Sequence, residues 1–227
     1  MNVNLIAYTQ LANHGASSNP MTVVEEAARV CYDSKPTENF RIAKGCMKSG
    51  HTSVYEHINF VFHVSGVSRA LLAQLTRHRI AGFSVRSQRY CNEDGFDYII
   101  PETARATDSD LYYTDIMSAA NEAYNDLIDA GMPPEDARMV LPNACCTELV
   151  VSMNARALIE ASRQRLCSRA QWEIRKLFTE MKREVATVCP EVAEYMRPKC
   201  ETDPEYPFCT EAKCCGRHKT LAEVYKG

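Results

Sequence analysis

Two hydrophobic periodicities meet between Asn59 and Arg77, and they confine the chain to folds in which a strand feeds a helix. Phe60, Phe62 and Val64 alternate as strand residues do, whereas Val67, Leu71, Leu72 and Leu75 recur at helical spacing. On that helix Gln74 and His78, four residues apart, are expected to share a second, polar face. Directly behind lies RHRIAGFSVRSQRY, residues 77–90, with four arginines, one histidine, Ser84, Ser87 and Gln88. From Arg69 to Arg89 there are five arginines and no carboxylate, a local potential that suits a phosphorylated anion. A solvated basic face is the alternative. Gly82 and the alternation of Phe83 and Val85 against Ser84 and Arg86 predict a loop or short extended piece, with Ser87 and Arg89 projecting from one side.

The remaining elements are expected in the following order. A first strand covers residues 3–9. Thr22 and Glu25 have the spacing of a capping box ahead of an Ala-rich helix over 23–32. A helix over about 39–48 ends at Gly50, and the polar segment GHTSVYEH, residues 50–57, precedes the strand at Asn59. A short strand over 95–101 leads to a long helix over about 109–130, whose Tyr112, Ile116, Ala119, Ala123 and Leu127 fall on one face. Gly131 and the Pro133–Pro134 pair stop it. A short helix brings up Ala137 and Arg138. A strand over 147–153 precedes a helix capped by Asn154. In the last long helix Ile174, Leu177, Phe178, Met181, Val185 and Val188 form an apolar stripe, read as core or subunit interface.

Composition narrows the function classes. With 26 basic against 29 acidic residues the formal charge is −3, so no global basic footprint for nucleic acid is present. Charge is segregated: residues 93–136 hold twelve acids and one base, residues 138–183 nine bases and four acids. The first residues lack the character of a signal peptide, and no run reaches the roughly 20 apolar residues of a membrane span. A cytoplasmic protein with no membrane partner is expected. Its eleven cysteines are then free thiols, the six up to Cys167 serving as core filler.

Three motifs carry the chemistry. Arg77-His78-Arg79, followed seven residues later by Ser87-x-Arg89-Tyr90, resembles the signature of the flavin-dependent thymidylate synthases. GHTSVYEH resembles that family's upstream Gly-His-x-Ser/Thr-x-x-Glu-His segment. Ala137-Arg138-x-x-Leu141-Pro142, then Asn154-Ala-Arg156, Arg165 and Ser168-Arg169-Ala-Gln-Trp172-Glu-Ile, are similar to its later blocks. The resemblance runs from the first helix to about Pro190. It implies a catalytic domain over 1–190 and a Cys-rich tail over 191–227.

What the resemblance implies is specific. The fold would be α+β, an antiparallel sheet flanked by helices, assembled as a homotetramer with sites between subunits and Arg138 supplied by a neighbour. The reaction would be the reductive methylation of dUMP to dTMP, with methylenetetrahydrofolate as carbon donor, NADPH as reductant and FAD as cofactor. Ser53, Glu56, Arg77, His78, Arg79, Ile80, Asn154, Arg156 and Glu160 would meet FAD. Gln74, Ser87, Gln88, Arg89, Arg138 and Arg165 would meet dUMP. Arg165 and His51 would be the catalytic residues, Arg165 beside the pyrimidine and His51 lining the flavin and folate region. No cysteine is a nucleophile, and no metal is assigned. Without a GxGxxG or P-loop motif, a dinucleotide has to be held by dispersed arginines, histidines and helix termini.

The chain departs from the family pattern at Gly82–Val85, where Ser-x-Asn-Glu is frequent, at Glu160 in place of Asn, and at Cys31 in place of Ser. Two further readings stand beside the main one: a related enzyme making a modified pyrimidine, such as a hydroxymethylated one, and a binding module that uses the Arg69–Arg89 patch on RNA or a phosphoprotein. In the tail, Cys200, Cys209, Cys214, Cys215 and His218 lack a clean CxxC pair. A flexible tail of thiols is expected there, with zinc the alternative.

Overall fold

A computed structural model describes residues 1–12, 18–35, 37–203, 205 and 207–226, with Tyr32 described by its backbone alone. In chain order its elements are β1 (Asn2–Tyr8), α1 (Met21–Tyr32), α2 (Arg41–Lys48), β2 (Asn59–Ser68), α3 (Arg69–Leu75), β3 (Gly82–Val85) and α4 (Glu102–Ala106). There follow α5 (Asp110–Asp129), α6 (Pro134–Ala137), β4 (Cys146–Asn154), α7 (Ala155–Arg165), α8 (Trp172–Val188), α9 (Pro190–Tyr195) and α10 (Leu221–Tyr225). The four strands pair in the order β1-β2-β4-β3.

Hydrogen bonds at the strand ends make the pairing antiparallel, so the fold class is α+β as expected. Thr9 N–H donates to the Asn59 carbonyl at 3.0 Å, so β1 ends where β2 begins. Ala155 N–H reaches Ile58 O at 2.9 Å and Arg69 N–H reaches Cys145 O at 3.0 Å, which run β2 and β4 in opposite directions. Arg86 N–H donates to Glu148 O at 2.9 Å and ties the end of β3 to β4.

The chain divides into two compact units. The first comprises Met1–Asn2, His63–Arg77 and Phe83–Val150. Its core contains Val64 and Val67 from β2, Leu71 and Leu75 from α3, Met117 and Tyr124 from α5, and Leu149 from β4. The expected apolar face of α5 is not the buried one. Tyr112 is 71% and Ile116 43% exposed, and Ala119 and Ala123 are exposed too, while Met117 and Tyr124, seven apart, face the core. The buried Tyr124 hydroxyl has a partner, accepting from Glu93 N–H at 3.4 Å. The strand expected over 95–101 is a single antiparallel bridge between Tyr98 and Cys145.

The second unit comprises Val3–Phe62, His78–Gly82 and Val151–Gly227. Within it α1 packs on α2, and α7 on α8, which in turn packs on α9. Ile174, Leu177, Phe178, Met181 and Val185 of α8 are all fully buried, so the stripe is core. Each such side chain contributes roughly 1.5–3 kcal/mol on removal from water. The capping box at Thr22 and Glu25 does not form. Asn19 Oδ1 accepts from Met21 N–H at 2.9 Å and the helix starts two residues earlier, at Met21, while Thr22 Oγ donates back to Asn19 O at 2.7 Å. Glu25, 6% exposed, turns inward and accepts from Ala43 N–H at 2.8 Å and from the Thr37 hydroxyl. The α2 helix begins at Arg41, not Asn39, because Asn39 and Phe40 take left-handed φ of 58° and 57°. Of the six cysteines up to Cys167, only Cys46 and Cys145 are buried, and Cys31 is exposed, so the core-filler reading holds for those two alone.

Candidate active site

In the first unit the candidate anion-binding residues include those grouped around the start of α3. Ser68 caps it, its hydroxyl accepting from Leu71 N–H at 3.0 Å, and this places Arg69 in the first turn. The Arg69 guanidinium donates through Nη2 to Arg86 O at 2.9 Å, while its buried Nε has no hydrogen-bond partner among the described residues. Burial lowers the Arg69 pKa, and the Arg138 and Arg86 charges add to the lowering against the opposing pull of Cys145 and Glu93. An unsatisfied buried donor among like charges is a site that an anion would satisfy.

The same unit holds Gln74, Arg77, Ser87, Gln88, Arg89 and Arg138. Segment 87–91 is a turn, not an extended piece: Cys91 N–H closes on Ser87 O at 3.0 Å, and the Ser87 hydroxyl accepts from Arg89 N–H at 3.2 Å. Ser87 and Arg89 are therefore aimed by the turn and not by strand alternation. Arg89 Nε lies 2.5 Å from Glu135 Oε2, and Arg138 Nε donates to the Glu135 carbonyl at 3.0 Å, so one residue draws the two phosphate-binding candidates together. Gln88 Nε2 reaches the buried Cys145 sulfur at 3.8 Å. Burial, with Glu93 adding to it, pushes the Cys145 thiol up to about 11, which leaves it protonated and a poor nucleophile. Helix α3 stops at Leu75, with Thr76 as its C-cap, so Gln74 and His78 do not share a helical face.

In the second unit GHTSVYEH forms a 3-10 helix over Thr52–His57 with His51 as N-cap. Val54 and Tyr55 are buried, and Tyr55 donates its hydroxyl to Ala43 O at 3.2 Å, which turns His51, Ser53, Glu56 and His57 outward. Asn154 caps α7 as expected, its side-chain oxygen accepting from Ala157 N–H at 2.8 Å. One turn along, Arg156 lies between two carboxylates, 2.6 Å from Glu56 and 3.1 Å from Glu160. Those bonds, Glu56 first, raise its pKa. Arg156 and Glu160 thus pair at i,i+4 on α7, and Glu56 joins the pair to the upstream motif.

At the far end of α7, Arg165 Nε donates to His78 Nε2 at 3.0 Å. The acceptor role fixes neutral His78 with its proton on Nδ1. Burial, and secondarily the Arg165 charge, lower the His78 pKa, and burial lowers that of Arg165. The imidazole lies 5.9 Å from the Phe178 ring, tilted by 54°. Arg79 and Ile80 follow in an exposed loop, and Arg79 has no ion-pair or hydrogen-bond partner among the described residues. At Gly82 an added Cβ would stand 2.8 Å from Ser152 Oγ, which accounts for glycine at this departure from the family pattern. A cavity of about 690 Å³ opens against Glu160, Arg163, Arg165, Cys167, Ser168 and Arg169. A smaller one, of about 180 Å³, lies by Gly50, Thr52, Arg156 and Glu160.

These donor sets suit flavin and nucleotide ligands. An unpartnered Arg79 offers bidentate charge to a pyrophosphate, exposed Ile80 offers apolar surface to a ring system, and the orphaned Nε of Arg69 offers a donor to a phosphate. Arg69 belongs to the basic patch read in the sequence but to neither set of residues that the resemblance assigns to flavin or nucleotide. The signal for a site role was its place one residue after a serine cap, where a helix start aims its side chain.

Comparison with known proteins gives one family. Residues 5–191 match the family described as thymidylate synthase complementing protein, Thy1. The chain is 40% identical over 222 residues to a flavin-dependent thymidylate synthase of Geobacter sulfurreducens, covering 92% of this chain and 94% of that one. It is 37% identical to the protein of that name from Clostridium tetani, covering 98% and 96%, and 34% identical to that from Pyrococcus abyssi, covering 96% and 91%.

Proposed function

The chain belongs to the flavin-dependent thymidylate synthase family, and from that membership we propose how its own residues divide the work of making dTMP from dUMP. It is a methyltransferase that uses FAD, with methylenetetrahydrofolate as the carbon donor. When bound, the flavin supplies the reducing equivalents that turn a transferred methylene into a methyl group.

Arg77, Arg79 and Arg156 hold the charged part of FAD, with Ser53, Glu56, His78, Ile80, Asn154 and Glu160 around it. Arg156 is already neutralised by Glu56 and Glu160. Those carboxylates therefore set how strongly it draws a phosphate. Arg89 and Arg138 bind the dUMP phosphate, Ser87 adds a hydroxyl, and Gln74 and Gln88 orient the nucleoside. Arg165 stabilises the negative charge that develops on the pyrimidine, and neutral His78 fixes its guanidinium through Nε. His51 lines the flavin and folate region. NADPH is the reductant, and the reaction runs in the cytoplasm. The tail over 191–227 carries none of these assigned residues, although Cys200 lines the same cavity as Arg165.

We take the assembly to be a homotetramer in which Arg138 is supplied to a neighbouring chain's site. The exposed apolar side chains Leu111, Tyr112 and Ile116 of α5 support a subunit contact there.

The observation that carries the reading is the Arg165–His78 hydrogen bond, which joins the signature motif to the later arginine block. The test is the visible spectrum of the purified chain before and after FAD and dUMP, followed by dTMP analysis with methylenetetrahydrofolate and NADPH. A flavin band perturbed by dUMP, with dTMP as product, is expected. Absence of flavin binding would overturn the reading, and a hydroxymethylated product would replace it with the related activity.

A further inference from the structure

The tail contains a cluster that lies outside the residues assigned to flavin and nucleotide. Pro198 introduces a 3-10 turn over Lys199–Glu201, which presents Cys200 and Glu201 side by side. His218 returns from a second segment, and its Nε2 lies 3.2 Å from Glu201 Oε1. One ligand atom each from Cys200, Glu201 and His218 lies within 4.8 Å of the other two. We propose that these three residues form a binding site for a zinc ion.

The donor set selects the metal. A thiolate, an imidazole and a carboxylate are the three ligand types zinc takes, whereas magnesium and calcium demand oxygen donors. Zinc–ligand bonds of roughly 2.0–2.3 Å place tetrahedral ligand atoms about 3.5 Å apart. The cluster therefore needs only a small closure. His218 and Glu201 side chains are 24% and 32% exposed, which leaves room for water in the fourth position.

The surroundings hold the site in shape. Cys209 N–H donates to Lys219 O at 2.8 Å, and Cys209 forms a parallel bridge with Thr220, which anchors the chain just beyond His218. On its other side the Cys214 thiol donates to the His218 carbonyl at 3.1 Å, and Gly216, at φ +85°, directs its N–H to the Cys214 sulfur at 3.3 Å. His218 is thus pinned from both sides. Cys200 also lines the 690 Å³ cavity, which gives an ion a path from solvent. At present the Glu201 carboxylate is shared by Arg217, at 3.4 Å, and His218. A divalent cation would take over that charge.

Spacing alone concealed the site. Its ligands are an adjacent pair and a histidine from a returning loop, not a CxxC pair. Cys209 and Cys214 form a competing thiol pair, and the experiment separates the two.

The full chain, purified without chelator, is stripped with EDTA and titrated with Zn2+ against a chromophoric chelator, with metal content checked by mass spectrometry. One zinc per chain is expected, with at least a tenfold loss of affinity in Cys200→Ser and in His218→Ala. Co2+ should give a thiolate charge-transfer band that is absent in Cys200→His, a variant that retains the metal. In the unaltered chain Zn2+ should protect Cys200 from alkylation, which keeps the test independent of variant folding. Failure of the wild-type chain to bind zinc overturns the proposal. So does zinc that survives in Cys200→Ser but is lost in Cys214→Ser.

Discussion

Arg165 donates through Nε to Nε2 of His78 at 3.0 Å, a bond that exists only while the imidazole is neutral. Burial and the Arg165 charge hold the His78 pKa below the ordinary 6.5. The sign follows. In the unfolded chain the proton binds first, so the stabilisation from neutral His78 is full above 6.5 and is lost as pH falls through the lower folded value. Binding of dUMP should show an acid limb with an apparent pKa below 6.5. In His78→Gln, whose side-chain oxygen can accept from Arg165 without titrating, that limb should vanish while binding at neutral pH changes little. Titration of dUMP into FAD-loaded protein across pH tests it. An identical acid limb in the variant would assign it to another group.

Glu135 competes for the arginines assigned to phosphate. Its carboxylate pairs with Arg89 at 2.5 Å, and its carbonyl holds Arg138. Both side chains of the Arg89–Glu135 pair are about half exposed, so the pair itself stabilises the chain by at most about 1 kcal/mol. Glu135→Gln should therefore leave thermal stability nearly unchanged and tighten dUMP binding by up to about fivefold, the equivalent of roughly 1 kcal/mol. Deoxyuridine, which lacks the phosphate, should bind both forms alike. Calorimetric titration at two salt concentrations measures it, and a weaker affinity for dUMP would mean that Glu135 positions Arg89 and does not compete for it.

Arg69 poses the opposite balance. Its buried Nε has no partner among the described residues, a cost to the unliganded chain that an incoming anion relieves. Arg69→Met keeps the stem's volume and removes the charge, at the loss of the bond to Arg86 O. The ligand-free variant should melt no lower than the parent, while dUMP binds about tenfold more weakly, roughly 1.4 kcal/mol. Differential scanning fluorimetry with and without dUMP reads both. A large drop in ligand-free stability with unchanged dUMP affinity would make Arg69 a fold residue.

What the sequence could reveal followed from how local each interaction is. The Asn154 cap and the stripe of α8 were legible because a cap closes within one turn and an apolar face repeats at the helical period. The α2 start was not, because two left-handed residues ahead of it leave no compositional mark. Thr22 and Glu25 had the spacing of a cap, but Glu25 found Ala43 eighteen residues away. In α5 two apolar faces compete, and the buried one carries a tyrosine hydroxyl that meets the backbone of Glu93. Motif order put Arg156 and Glu56 into one candidate set, yet their contact, a hundred residues apart, is a property of the fold. Arg69 and the Cys200–Glu201–His218 cluster fell outside every short pattern for the same reason.

The exposed face of α5 yields the last prediction. Leu111, Tyr112 and Ile116 are 78%, 71% and 43% exposed, on a helix whose other face fills the core of its unit. Substitution there costs little folding free energy, usually within about 0.5 kcal/mol, because no packing is lost within the chain. If this face joins subunits of the proposed homotetramer, a buried carboxylate without a counter-ion is costly in the assembly alone. Asp110 and Asp115 on the same helix leave a new acid without local compensation. Tyr112→Glu with Ile116→Glu should therefore lower the mass seen by light scattering from that of four chains, with an unchanged circular dichroism spectrum and melting transition. A double variant that remains tetrameric would move the interface away from α5, and a wild-type chain that is monomeric would remove the tetramer.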